Sequence, residues 1–489
     1  MLMLVLGMFS CSDINKQLEE MIPADSRGVV RIDLKSVLDK GQLLDEDGKV
    51  AFPPALKNLI DSNDASPAAD AISLLKKIGV DNDACVYVFF PKNTFDFAAL
   101  IAVNEADEAK QEIEKRTGQK FQTVEKVDFL RYGSVSYVFD DDILFIGKET
   151  KEGADAQLAL TAQSYLHKSS NSIVDDADIA DCIHRENDVN AYFSVSGIYN
   201  AISKSETLTE AVKKFPIITL FTDSDIKAIT MHLNFQKEGA EFNAYVKADK
   251  TSDYLKLIDA TIAKADPSFL KVIPVSMNYI FSISVNGENL MKLDQVKKSV
   301  NLLSNLLPTD KFDLRKLIKS IDGPVAIAFS AGDGVNISSV ANDNWNVAIA
   351  AKSKDAANVV NGIVQFAAEM GQQDYVKNGR HLFSYQGMPV YLGSQDSVVY
   401  AIRIDHELEE EFYYDTPDVK ERFAESPLGF FAKVTEPQGE SFINFGLKNA
   451  TEGNGVFYSM RDDNPVVIFL EILCQINSNK EQKSSEYFY

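Results

Sequence analysis

Ile22–Leu34, IPADSRGVVRIDL, is a proline-led turn feeding an alternating strand, and a related stretch returns at Val272–Val285 as VIPVSMNYIFSISV. A turn-and-strand opening used twice, about 250 residues apart, predicts a duplicated module. Working outward from the two copies, the elements that follow each fall in the same order. After the first come a hairpin (84–90 and 95–103), an amphipathic helix (105–116), and a four-strand meander (121–124, 129–132, 135–139, 143–146). Further strands are expected at 190–195, 226–235 and 241–246. After the second copy come 324–330 and 345–351, a helix over 353–369, a meander through 382–402, and strands at 429–434, 442–447 and 456–460. Strands with period-2 alternation joined by short turns predict antiparallel sheets. The expected fold class is therefore α+β, with two tandem duplicated modules, each a mainly antiparallel sheet with helices packed on one face. The first module is expected over 22–266 and the second over 267–489.

At 489 residues the chain is too long for one ordinary core, and 45% apolar with 25% charged residues is a globular composition. The formal net charge is -23. Binding to nucleic acid depends on Lys and Arg displacing phosphate counterions, so that partner class is excluded. The same charge repels an anionic membrane surface, so attachment to a membrane needs another cause.

The first ten residues, MLMLVLGMFS, run apolar into Cys11. They are too short to span a bilayer as a helix, which takes about 20 residues, and they read as the apolar core of a secretion signal. No basic segment precedes them, so the true start is expected upstream. Met8-Phe9-Ser10-Cys11 resembles a bacterial lipobox, which implies an acylated Cys11 as the membrane anchor. Ser12–Met21 is then expected as a polar tether, reaching about 35 Å when extended. Cys85, Cys182 and Cys474 remain, without a C-x-x-C pair.

No reaction is written into the motifs. His167, His184, His232, His381 and His406 lack zinc-ligand spacing, and the Gly-x-Ser-x-Gly, Walker and dinucleotide signatures are absent. No metal and no cofactor are expected. Cys182 and His184, two apart, do not share a helix face. Asp175, Asp176, Asp178 and Asp181 form an acidic cluster whose plain reading is a solvated loop. One asymmetry separates the halves. The first hairpin turns in four residues, whereas its counterpart carries the loop 331–344, AGDGVNISSVANDN. Long loops on rigid sheets carry function, and Asp333, Asn336, Asn342 and Asp343 are the candidate ligand residues there, against a neutral insertion.

The lipobox-like start, Ile22-Pro23-Ala24-Asp25 and the two-fold order of elements together resemble a family of large lipoproteins of unknown function common in Bacteroidetes. The resemblance covers nearly the whole chain and brings no catalytic residues. It implies an envelope location. Only one acid follows Cys11 within Ser12-Asp13-Ile14-Asn15, so the outer membrane facing the periplasm is expected, with the cell surface as the alternative. The expected function is a non-enzymatic, membrane-anchored binding or scaffold protein for a protein or glycan partner. The alternative is a hydrolase acting on an envelope polymer through paired carboxylates, about 5 to 9.5 Å apart. A third reading is carriage of an apolar ligand between sheet and helices.

Overall fold

The computed structural model describes residues 10–46, 50–54, 56–57, 67–150, 153–195, 226–237, 239–249, 255, 258–259, 261–306, 313–330, 346–385, 387–405, 408, 413–436, 439–449, 451–459 and 464–470. The chain divides into two compact units, Met1–Lys247 together with Asp462–Tyr489, and Ala248–Arg461. The division falls after Lys247. The segment 465–470 belongs to the first unit because Val466, Val467 and Ile468 are buried there, with Phe469 edge-on to Phe235 at 5.5 Å.

In the first unit the strands are β1 (Gly28–Asp33), β2 (Cys85–Phe89), β3 (Phe95–Ala102), β4 (Gln122–Val124), β5 (Val127–Tyr132), β6 (Val135–Asp140), β7 (Ile143–Glu149), β8 (Val189–Ser194), β9 (Ile226–Gln236) and β10 (Gly239–Ala248). They pair antiparallel in the order β4-β5-β6-β7-β3-β2-β1-β8-β9-β10. The opening stretch thus ends in a central strand, with Val29 against Phe89 on one side and Tyr192 on the other. The helices are α1 (Ser10–Met21), α2 (Leu34–Gly41), α3 (Pro67–Lys77), α4 (Ala106–Thr117), α5 (Asp155–Ser164) and α6 (Ala177–Ile183).

Two expectations are corrected here. Helices lie on both faces of this sheet, because its central strands are apolar at both parities. Cys85, Tyr87, Phe89, Ala98 and Leu100 face a core closed by α1, α5 and α6. The alternate residues Val86, Ala99, Ile101 and Val103 face a second core with Leu74 and Ile78, and with Ala109 and Ile113 of α4. The second correction concerns residues 12–21, which are not an extended tether. They lie in α1, with Leu18, Met21 and the following Ile22 buried. The signal was present in the sequence: Ile14, Leu18, Met21 and Ile22 recur at i, i+4, i+7 and i+8, one helix face.

In the second unit the strands are β11 (Tyr279–Asn286), β12 (Ile321–Ser330), β13 (Asn346–Ser353), β14 (Tyr375–Lys377), β15 (Arg380–Tyr385), β16 (Met388–Gln395), β17 (Val398–Arg403), β18 (Leu428–Glu436), β19 (Gly439–Leu447) and β20 (Glu452–Ser459). Their antiparallel order is β14-β15-β16-β17-β13-β12-β11-β18-β19-β20. This is the order of the first unit, strand for strand. The helices are α7 (Gly287–Leu290), α8 (Asp294–Leu306), α9 (Leu314–Ser320), α10 (Ala356–Glu369) and α11 (Pro417–Ala424). One sheet face is closed by the 3-10 segment Pro267–Val272, by Tyr414 and by Phe423 of α11.

Both meanders turn on two-residue corners that need a left-handed backbone. Glu125 and Lys126 join β4 to β5 with φ of 50° and 73°, and Asn378 and Gly379 join β14 to β15 with 52° and 76°. Positive φ at both positions matches the twist of the flanking strands. Gly118, at φ 67°, ends α4 with its N–H donated to the Glu114 carbonyl.

Candidate interaction surface

The residues singled out from the sequence do not converge on one site. Cys11 lies in α1. Asp333, Asn336, Asn342 and Asp343 lie outside the described residues. The acidic cluster does structural work at helix ends. Asp175 completes a capping box with Ser172, and Asp176 caps α6 by accepting from the Asp178 and Ile179 amides at 2.9 and 3.1 Å. Asp178 pairs with Lys247 at 2.8 Å. Among the described residues no cluster of three or more His, Cys, Asp or Glu groups could hold a metal.

Several buried polar groups of the first unit are bound to one another. Glu19 of α1 accepts from the Tyr87 hydroxyl at 2.6 Å and meets His184 Nε2 at 2.9 Å, which pins α1 to the sheet. Asp188 accepts from Ser36 Oγ, Lys40 Nζ and the Phe235 amide at 2.5 to 2.9 Å, tying α2 and β9 to the start of β8. Burial pushes the Cys85 thiol up to about 11 and the Cys182 thiol up to about 12. Neither is a thiolate nucleophile near neutral pH. Cys182 instead donates to the Ala191 carbonyl at 3.3 Å.

An open cleft of about 650 Å³ lies beside α4, lined by Glu105, Asp107, Lys110, Lys126, Asp128 and Asp140–Asp142. It is concave and rich in carboxylates, the setting a hydrolase needs. However, Lys110 Nζ stands 2.7 Å from Asp128 and 3.6 Å from Asp107, so an ammonium occupies the space between these two acids. They are neutralised partners of a lysine, not an acid and base flanking a substrate bond.

The second unit is different. Its sheet row Phe430–Phe281–Ile327–Ile349–Ala401 runs across β18, β11, β12, β13 and β17. Among the described residues, one end of that face is covered by α10, which packs Val360 against Leu392, Val399 and Ala401. Towards the other end Phe281, Ile327 and Ile349 are 48, 48 and 47% exposed. Their neighbours along the same strands, Tyr279 and Ile283, Val325 and Phe329, Val347 and Ala351, are all uncharged. The rings form a platform, with Phe281 and Phe430 centroids 4.6 Å apart and Tyr279 stacked on Phe329 at 5.1 Å. Scattered exposed leucines are ordinary, but a contiguous apolar patch on a central sheet marks an interaction site. Sequence reasoning missed this face. A strand apolar at both parities reads as buried on both sides, and no local signal says which helix covers which side.

With the geometry in hand, three comparisons bear on the chain. The family model described as Domain of unknown function (DUF4836) matches residues 18–454. No curated protein matches. Solved structures of TP0453, in its crystal forms III and IV, each align at 9% identity and a TM-score of 0.31. They cover 48 and 47% of this chain, and 80 and 79% of their own. At that similarity they carry no argument about fold or function.

Proposed function

The chain belongs to the family of the domain of unknown function DUF4836, and from that premise we propose a lipid-anchored, non-enzymatic binding protein of the cell envelope. The observation that carries the reading is the half-exposed apolar row Phe281, Ile327 and Ile349 on the second unit. A protein partner fits it better than a glycan, because the row offers no hydrogen-bonding groups to sugar hydroxyls. The partner's backbone must already be satisfied. β18, β11, β12 and β13 are each paired on both sides, so no open edge is available for an added strand. An amphipathic helix, with its hydrogen bonds internal, meets that requirement.

Two further parts of the reading have their own support. The units are proposed as copies of one module, supported by their shared order of ten strands. Anchoring is proposed through an acylated Cys11, supported by the apolar run before it and by the likeness to a lipobox. The expected address is the outer membrane facing the periplasm, with the cell surface as the alternative. The hydrolase alternative has less support, given Lys110 between Asp107 and Asp128.

One fractionation experiment tests both halves of the proposal. A photo-crosslinker placed at Phe281 in the full chain should yield a discrete protein adduct in the membrane fraction. Cys11→Ala should move the chain to the soluble fraction. Ile327→Glu should leave it at the membrane and abolish the adduct. A chain that stays membrane-bound without Cys11 defeats the anchor, and an adduct indifferent to Ile327→Glu defeats the interaction surface.

A further inference from the structure

A second apolar surface in the same unit is partly exposed. In α8, Leu302 and Leu303 are 64 and 53% exposed. Val296, Val300 and Leu303 recur at i, i+4 and i+7, an amphipathic stripe, of which only Val300 is fully buried. Apolar surface left in water is unfavourable in proportion to the area that could be buried, so Leu302 and Leu303 and the sheet row each favour being covered. The sheet face accepts a body whose backbone is internally bonded, and α8 is such a body.

The connections permit the contact. β11 ends at Asn286, whose Oδ1 accepts from the Asn289 amide at 3.0 Å and caps α7. Gly287 lies so near α9 that a Cβ there would collide with the Ile318 carbonyl oxygen, so α7 and α9 form a close-packed base. From this base α8 departs through Met291–Leu293. Its 13 residues make a rod about 20 Å long. Running back along β11 from Asn286 to Phe281 takes five residues, about 17 Å. A helix turning back from the base is therefore long enough to reach the exposed row at Phe281. The first unit shows the corresponding arrangement completed. There α3, which also lies between the first two strands of its sheet in chain order, ends in the Leu74–Ile78 stretch packed onto Val86, Ala99 and Ile101.

We propose that α8 is a hinged lid, which closes on Phe281, Ile327 and Ile349 and competes with the partner for that face. The inference rests on the reading of this face as the interaction surface, and it adds the regulation of that surface. A covalently joined helix has an effective concentration of about millimolar, so a partner must displace α8 instead of meeting a free face.

The test uses the full chain with Leu303→Cys and Ile327→Cys together, both positions exposed and tolerant of the change. Mild oxidation should give an intramolecular disulfide in the monomer, mapped by mass spectrometry. Lys298→Cys with Ile327→Cys, placing the thiol elsewhere around the helix, should not cross-link. Locking the lid should remove most of the fluorescence of 8-anilinonaphthalene-1-sulfonate bound to the native chain, and reduction should restore it. Failure of the Leu303–Ile327 pair to form, or its formation only between two chains, overturns the lid. Dye binding unchanged by Ile327→Glu overturns the interaction surface itself. Dye binding lost in Ile327→Glu without any disulfide leaves the surface standing and removes only the lid.

Discussion

At the scale of single residues, the charged and polar groups inside the first unit are structural, and His232 shows how closely they are set. It is 2% exposed, and its Nδ1 lies 2.6 Å from Asn190 Oδ1. The Asn190 amide nitrogen donates to the Arg185 carbonyl at 2.8 Å. Its oxygen is thus the acceptor, and His232 Nδ1 carries the proton. Nε2 is left buried without a hydrogen-bond partner among the described residues. Burial first, then the nearby Arg185 and Lys247 charges, lower its pKa from 6.5 to about 4. The sign follows directly. Between those values the unfolded chain binds a proton that the folded chain refuses, so stability falls as pH drops from 6.5 towards 4 and levels off below that. The loss is at most about 3 kcal/mol. Urea unfolding at pH 7.5 and pH 5 should show a larger decline for the wild type than for His232→Gln, and an NMR titration should place the imidazole below 5.

At the scale of elements, the strands were the most legible part of the chain. Residues 84–90 and 95–103 are short apolar runs on either side of the turn Pro91-Lys92-Asn93-Thr94, and they form the paired β2 and β3. Turns such as Asn378-Gly379 account for the local hairpins, whereas the non-sequential pairs β3–β7 and β13–β17 have no local signal. Less legible were elements whose residues have two readings. Asp175, Asp176 and Asp178 look like an acidic loop, yet Asp176 caps α6 and Asp175 belongs to a capping box. The apolar residue at the third helical position, Ile179, could have shown this, since a cap followed by an apolar periodic run is a helix start. Replacing Asp176 with Ala removes the acceptor for two amides and should cost about 1 kcal/mol. Chemical denaturation should report the loss as a lower midpoint with an unchanged slope. The apolar face of β11, β12 and β13 was illegible for a deeper reason: coverage of a sheet face is a tertiary property, and strands apolar at both parities are buried on both faces in the first unit but leave Phe281, Ile327 and Ile349 half-exposed in the second.

At the scale of the whole molecule, the position of Cys11 relative to the fold changes how an anchor must work. A ten-residue extended tether would hold a body of charge -23 well away from an anionic surface, beyond the Debye length of about 8 Å at physiological salt. Instead Ser10–Met21 is helical, and Glu19, Leu18 and Met21 fasten that helix to the first unit. An acyl group on Cys11 would therefore bring the first unit close to the lipid headgroups, where repulsion of its carboxylates opposes insertion and rising salt relieves it. The docked helix also makes a claim that needs no membrane. Lys16 is exposed on α1, and in a flexible tether it would be among the first trypsin sites cut. A protease needs extended backbone, so cleavage there requires α1 to detach or unwind. Limited trypsinolysis followed by mass spectrometry should find the bond after Lys16 protected in the native chain. Glu19→Ala leaves the buried Tyr87 hydroxyl without that acceptor, at a cost of about 1 to 3 kcal/mol, and should accelerate that cut ahead of others. Rapid cleavage after Lys16 in the wild type would return residues 12–21 to the role of a tether and detach the anchor from the fold.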